Sequence, residues 1–145
     1  MTRYWIIVAS KDHVMRGVTL GIAQAGHGKR SGLARMRKGD GIVYYSPKEE
    51  FSGDKPLRAF TALGIIEDEA IYQVEESPDF KLFRRKVQYL STKETAVQPL
   101  IDDLTVIRKK KSWGYMFRFG LFEIPEHDFS LIAGKMGVHT EGPVP

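Results

Sequence analysis

Cysteine is absent from this 145-residue sequence, so no disulfide, thiolate metal ligand or cysteine nucleophile enters any reading of it. Long apolar runs are absent as well. No window approaches the roughly 20 apolar residues that a membrane-crossing helix requires, so no membrane partner is expected. The N-terminal stretch Met1-Thr2-Arg3-Tyr4-Trp5-Ile6-Ile7-Val8 reads straight into a strand and carries no leader-cleavage pattern. These absences together predict a cytoplasmic protein. Histidine is scarce: His13, His27, His127 and His139 are scattered without ligand spacing, so no metal and no cofactor are expected. No serine sits in a nucleophile-elbow pattern, and the adjacent carboxylates Asp102 and Asp103 fall on a polar turn. A catalytic acid, base or nucleophile set is therefore not predicted.

What is present is an ordinary globular composition, 42% hydrophobic and 28% charged. The length suits a single domain over residues 1–145, with the tail beyond about residue 137 frayed and a monomer favoured. The net charge of +4 hides a segregated layout: residues 1–40 carry +6, residues 41–80 carry −6, and residues 81–111 carry +6. Two basic blocks around an acidic one can fold into one positive face, the footprint of a phosphate-binding protein, though solvated surface charge gives the same pattern.

Along the chain, Arg3 to Ala9 is apolar on both alternating faces and reads as a central strand. Ser10 can cap a short helix through about Gly17, and residues 17–29 are too glycine-rich for regular helix. A helical turn near Leu33 precedes a strand from Ile42 to Ser46, closed by Pro47. Leu57 to Ile66 and Ala70 to Val74 look like a hairpin across Glu67-Asp68-Glu69. Phe83 to Tyr89 alternates as a further strand, residues 97–103 form a helical turn broken by Pro99, and Trp113 to Phe122 is expected to be extended or looped. The last helix is clearest: Pro125 opens it, Gly137 can stop it, and Phe129, Ile132, Ala133 and Met136 form one apolar stripe. The sum is an α+β barrel of about five to six strands with peripheral helices.

Gly26-His27-Gly28-Lys29-Arg30-Ser31 imitates a phosphate loop, but Ala23 and Arg30 occupy positions where the triphosphatase motif needs glycine and Ser/Thr. It can still hold anions through exposed backbone N–H groups and its cations. Trp5, Tyr44, Tyr45, Trp113, Phe117 and Phe119 flank basic side chains, an arrangement in which rings stack on bases while cations take phosphates. Core packing is the competing use of the same rings. Tyr44 and Tyr45 must point to opposite sides of their strand, so one of them at most faces a cleft.

Several segments resemble the EVE domain family, which has a PUA-like fold and is related to the YTH readers of methylated adenosine. They are Tyr4-Trp5-Ile6, Ser10-x-x-His13-Val14, Gly21-x-Ala23-Gln24-x-x-His27-Gly28-Lys29, Leu33-x-x-Met36-x-x-Gly39-Asp40, Tyr44-Tyr45-Ser46-Pro47, Trp113-x-x-x-Phe117-x-x-Gly120-Leu121, Phe122-Glu123-Ile124 and Asp128-Phe129. The resemblance implies a PUA-like mixed β-barrel and a base pocket drawn from Trp5, Ser10, Gln24, Tyr45, Ser46 and Trp113. Ala23 stands where those readers usually supply a cage aromatic, and it cannot stack. EVE-type domains also occur in restriction systems that bind altered cytosine, so RNA and DNA both stay open as partners. The expectation is a non-catalytic nucleic-acid reader, with His27, Lys29, Arg30, Arg84, Arg108 and Lys109, within the basic run Arg108 to Lys111, on phosphates. A module for a free nucleoside or other small ligand is the alternative, and a nucleic-acid-modifying enzyme is the third reading.

Overall fold

In the computed structural model, residues 1–25, 30–78 and 80–138 are described. They form, in chain order, β1 (Tyr4–Val8), α1 (Lys11–Leu20), β2 (Ile22–Ala23), α2 (Arg30–Leu33), β3 (Gly41–Lys48), β4 (Pro56–Ile66), β5 (Tyr72–Ser77), β6 (Phe80–Tyr89), β7 (Thr95–Ala96), β8 (Leu121–Ile124) and α3 (Glu126–Lys135). Turns of 3-10 helix occupy Gln98–Leu100 and Lys110–Phe119. The strands pair in the order β2-β6-β4-β3-β1-β8, with β5 added to β6 and β7 to β4. β1 runs parallel to β3; every other pairing is antiparallel, and the mixed sheet curls into a half-barrel.

β1 is apolar on both faces because both faces are covered. Ile6 and Val8 join a core with Val43, Tyr45, Phe60, Phe122 and the α3 stripe Phe129, Ile132, Ala133 and Met136. Trp5 and Ile7 point the other way, into a core with Val14 of α1, Leu33, Met36, Ile42 and Tyr44. The alternation of side chains along a strand thus divides Tyr44 from Tyr45 between two cores.

Three buried polar side chains tie the layers together. Asp40 accepts from Trp5 Nε1 at 2.9 Å and from the backbone N–H groups of Arg3 and Arg37 at 3.0 Å each. Asp128 accepts from Thr105 N and Oγ1 and from Val106 N, pinning the connection after the Gln98–Leu100 turn onto α3. Arg85 donates to the carbonyls of Leu33, Met36 and Asp68 and fixes the end of α2 against β6. Each satisfies backbone groups that a loop would otherwise leave unpaired.

The structure departs from the sequence reading in several places. α1 continues to Leu20 and stops at Gly21, whose φ of 71° is the left-handed stop that glycine allows. Ser10 is extended before α1 but does not cap it with its side chain; its hydroxyl donates to Asp12 at 2.6 Å instead. β5 does not form a hairpin with β4 but pairs with β6, because the shared local turn signal says nothing of which neighbour wins. Residues 110–119 are helical turns broken at Ser112, where the stretch from Trp113 to Phe122 was expected to be extended or looped. Lys110, part of the basic run expected on phosphates, instead points inward and donates to the carbonyls of Ile101, Leu104 and Ile107.

Candidate functional site

β1 ends at Val8, opposite Tyr45 of the longer strand β3. Ala9 N–H donates to Tyr45 O at 3.1 Å, and Val8 N–H donates to Gly120 O at 2.7 Å. The Lys110–Phe119 segment therefore wraps this edge of the sheet, and an opening lies on each side of it. One, of about 460 Å³, is lined by Tyr45, Pro47, Arg58, Trp113, Phe117 and Arg118. The other, of about 310 Å³, is lined by Ala25, Ser31, Gly32, Arg35, Phe119 and Leu121. Among the described residues, neither lining contains an acidic side chain.

Ring packing shapes the first opening. Tyr45 stacks on Phe117 at 4.0 Å between centroids, and half-buried Trp113 meets Phe117 edge-on at 6.2 Å. Burial pushes the Tyr45 hydroxyl up to about 12, against the pull of the Arg58 charge, so it is a neutral donor at ordinary pH. Arg58 owes its place to an irregular β3–β4 ladder. Thr61 is the extra residue where the register slips between Tyr44 and Tyr45, and a second slip between Ser46 and Lys48 contains Arg58. Arg58 holds a φ of 58°, the sole non-glycine residue with positive φ among those described. Bulges of this kind re-aim a side chain, and a strained backbone persists only where its surroundings impose it.

The second opening borders the glycine-rich connection. Arg35 lies over the Trp5 ring with its guanidinium carbon 4.9 Å from the centroid, and Phe119 stands 58% exposed at the rim. Next to Ala25, Gln24 Oε1 accepts from Arg84 Nε at 2.9 Å, which leaves the amide nitrogen available to donate. Two tyrosines hold β2 in place: Tyr89 Oη donates to Ile22 O at 2.8 Å and Tyr44 Oη to Gln24 O at 3.5 Å. Burial raises both hydroxyls, Tyr44 to about 12.

The residues expected in one pocket are therefore distributed. Tyr45 and Trp113 line the first opening together. Gln24 lines neither opening, though its chain neighbour Ala25 lines the second. Trp5 is fully buried, with its ring under Arg35 and its N–H spent on Asp40, so it is a floor and not a wall. Ser46 is also fully buried, its hydroxyl paired with Thr61 Oγ1 at 2.8 Å. Ser10 is occupied by Asp12. Arg84 is half-buried, and Arg30, Arg108 and Lys109 are exposed. His27 and Lys29 lie outside the described residues. Arg35, Arg58 and Arg118 were not singled out by the sequence. Arg118 stands between Phe117 and Phe119 and was within reach of the same aromatic-basic signal, whereas nothing in sequence marks the backbone that aims Arg58.

Among the described residues no group of three or more His, Asp or Glu is placed to hold a metal ion, and no helix is long and apolar enough to cross a membrane.

Comparison with known proteins gives these observations a family. The chain is 49% identical over 136 residues to a protein of Mycolicibacterium vanbaalenii named "UPF0310 protein", covering 94% of each chain. Its fold matches the solution structure of Rpa0253 from Rhodopseudomonas palustris with a TM-score of 0.57 at 16% identity, covering 94% of each. It also matches the YTH domain of the Zygosaccharomyces rouxii MRB1 protein, solved in complex with N6-methyladenosine RNA, with a TM-score of 0.56 at 14% identity. That alignment covers 95% of this chain and 89% of the other. The model of the EVE domain matches residues 3–135, and the chain belongs to the EVE domain family.

Proposed function

We propose that this protein is a non-catalytic nucleic-acid reader that holds one base at the opening beside Phe119 while arginines around it take the backbone. The observation that carries the reading is the pairing of ring faces with guanidinium groups near the end of β1, with no carboxylate in either lining among the described residues. The likeness of fold to a YTH domain that was solved on N6-methyladenosine RNA supports the same class of ligand. In this reading the base lies on Phe119, the free amide nitrogen of Gln24 donates to its edge, and Arg35, Arg84 and Arg30 face phosphates. Stacking on an exposed ring is worth about 1–3 kcal/mol per base and is tolerant of sequence, so the hydrogen bond from Gln24 supplies the discrimination.

The test is capture from total cellular nucleic acid, followed by mass analysis of the nucleosides retained. Wild type should enrich a defined nucleoside, and Phe119→Ala and Gln24→Ala should lose that enrichment. Identical nucleoside profiles for wild type and both variants would remove the assignment.

A further inference from the structure

The opening on the other side of the Lys110–Phe119 segment is not needed for that reading, and its chemistry points to a ligand of its own. Tyr45 is 2% exposed, yet its hydroxyl has no hydrogen-bond partner among the described residues. It is not sealed either: among the described residues, Arg85 Nε is the one fully enclosed side-chain polar atom without a partner. The hydroxyl of an otherwise buried tyrosine thus opens onto the cavity that its ring helps to line. Buried tyrosine hydroxyls ordinarily find a partner, and an unmet donor at a cavity wall is a place for a ligand acceptor.

Three further observations define that acceptor. Arg58 and Arg118 both line the cavity, and neither has a carboxylate within 4.0 Å among the described residues. Arg58 is held there by a left-handed backbone in a bulge, with its carbonyl accepting from Val97 N–H at 3.0 Å. Trp113 and the stacked pair Tyr45–Phe117 supply apolar ring surface beside the cations. Two guanidiniums without a carboxylate partner, Arg118 also lying 5.9 Å from the Tyr115 ring centroid, and a neutral phenol suit a phosphate, and the rings suit a planar heterocycle.

We infer that the Tyr45–Trp113–Arg58–Arg118 cavity is a second, separate site for a nucleotide unit, its phosphate held by Arg58, Arg118 and the Tyr45 hydroxyl and its base against Trp113. The unit can arrive as a free nucleoside monophosphate or as part of a strand. The site stands whether or not the Phe119 opening holds a base.

The protein carries its own probe. It has two tryptophans, Trp5 buried under Arg35 at the other opening and Trp113 in this cavity, so the quenching that a Trp113→Phe variant loses is the part that reports on Trp113. Adenosine and cytidine 5′-monophosphates, the corresponding nucleosides, inorganic phosphate and a short single-stranded oligonucleotide would be titrated in turn. Monophosphates should quench, with nucleosides and phosphate each weaker by about tenfold or more, the size of a lost hydrogen bond to a charged group. Arg58→Gln and Arg118→Gln, both at exposed positions, should each weaken binding by a similar factor, and Tyr45→Phe should weaken it while preserving the ring packing. Quenching by the oligonucleotide alone, weakened by the same variants, would assign the unit to a strand. Phe119→Ala should leave Trp113 quenching intact, which separates this site from the one proposed above. Absence of quenching by every phosphate-bearing ligand, equal affinity for nucleosides and monophosphates, or indifference to both arginine variants would overturn the inference.

Discussion

At the scale of single residues, buried acids carry much of the specification of this fold. Asp128 is fully buried on α3, at whose first turn a negative charge is favourable. Burial raises its carboxyl, but hydrogen bonds from His127, Val106 and Thr105 outweigh that and hold it below the ordinary value of 3.8. A carboxylate with a lowered folded-state pKa stabilises the protein fully above its unfolded value and loses that contribution as pH falls through the folded value. Asp128→Asn should therefore cost about 2 kcal/mol at neutral pH, the range for hydrogen bonds to a charged group. The gap between variant and wild type should close as pH drops below about 3.8. Denaturant unfolding at neutral pH and in the acid range measures both limbs, and a gap that stays constant into strong acid would contradict the account. Asp40 is the comparable case on β1 and β3, where one carboxylate gathers three N–H donors. Both acids were legible only as the ends of the motifs Gly39-Asp40 and Asp128-Phe129; their partners are loop backbone groups that no spacing reveals.

At the scale of elements, legibility followed from how far each element's signal is local. β1 and α3 were readable because burial on both faces and a helical apolar stripe each leave a pattern within one short window. The Lys110–Phe119 turns were not, since aromatic density suggested an extended or looped segment. The contacts Trp113–Phe117 and Tyr115–Phe119 show that the rings in fact repeat at the i, i+4 spacing of a helical face. The β3–β4 bulge is invisible in sequence for a different reason: its register is set by long-range pairing. So the association of Tyr45 with Trp113 was anticipated, and the arginine that completes their cavity was not. Arg58 also offers a test of stored strain. A non-glycine residue in the left-handed region carries roughly 1–2 kcal/mol of cost, which glycine does not. Arg58→Gly should leave unfolding stability equal to wild type or up by about 1 kcal/mol, whereas Lys81→Gly, in the exposed part of β6, should lower it by about 1 kcal/mol. Equal losses in the two variants would show that the left-handed conformation costs nothing here.

At the scale of the whole molecule, the charge layout gains meaning from where the fold leaves it unpaired. The acidic middle of the chain answers some of the basic blocks: Glu69 pairs with Arg37. Around the two openings, Arg30, Arg35, Arg58, Arg84 and Arg118 have no carboxylate within 4.0 Å among the described residues. Arginines and ring faces thus occur together at these openings. Binding driven by such a cluster releases counterions from a nucleic-acid backbone, and each phosphate neutralised on a single strand adds about 0.7 to the slope of log affinity against log salt. Three to five engaged arginines correspond to a slope of about −2 to −3.5, so raising salt fourfold should weaken oligonucleotide binding by about tenfold to a hundredfold. Replacing one contributing arginine by glutamine should flatten the slope by about 0.7, whereas Phe119→Ala should lower affinity at every salt concentration without changing the slope, because stacking releases no counterion. An isotherm indifferent to salt would mean that the unpaired arginines meet no backbone, and would leave rings and amides to hold whatever the protein binds.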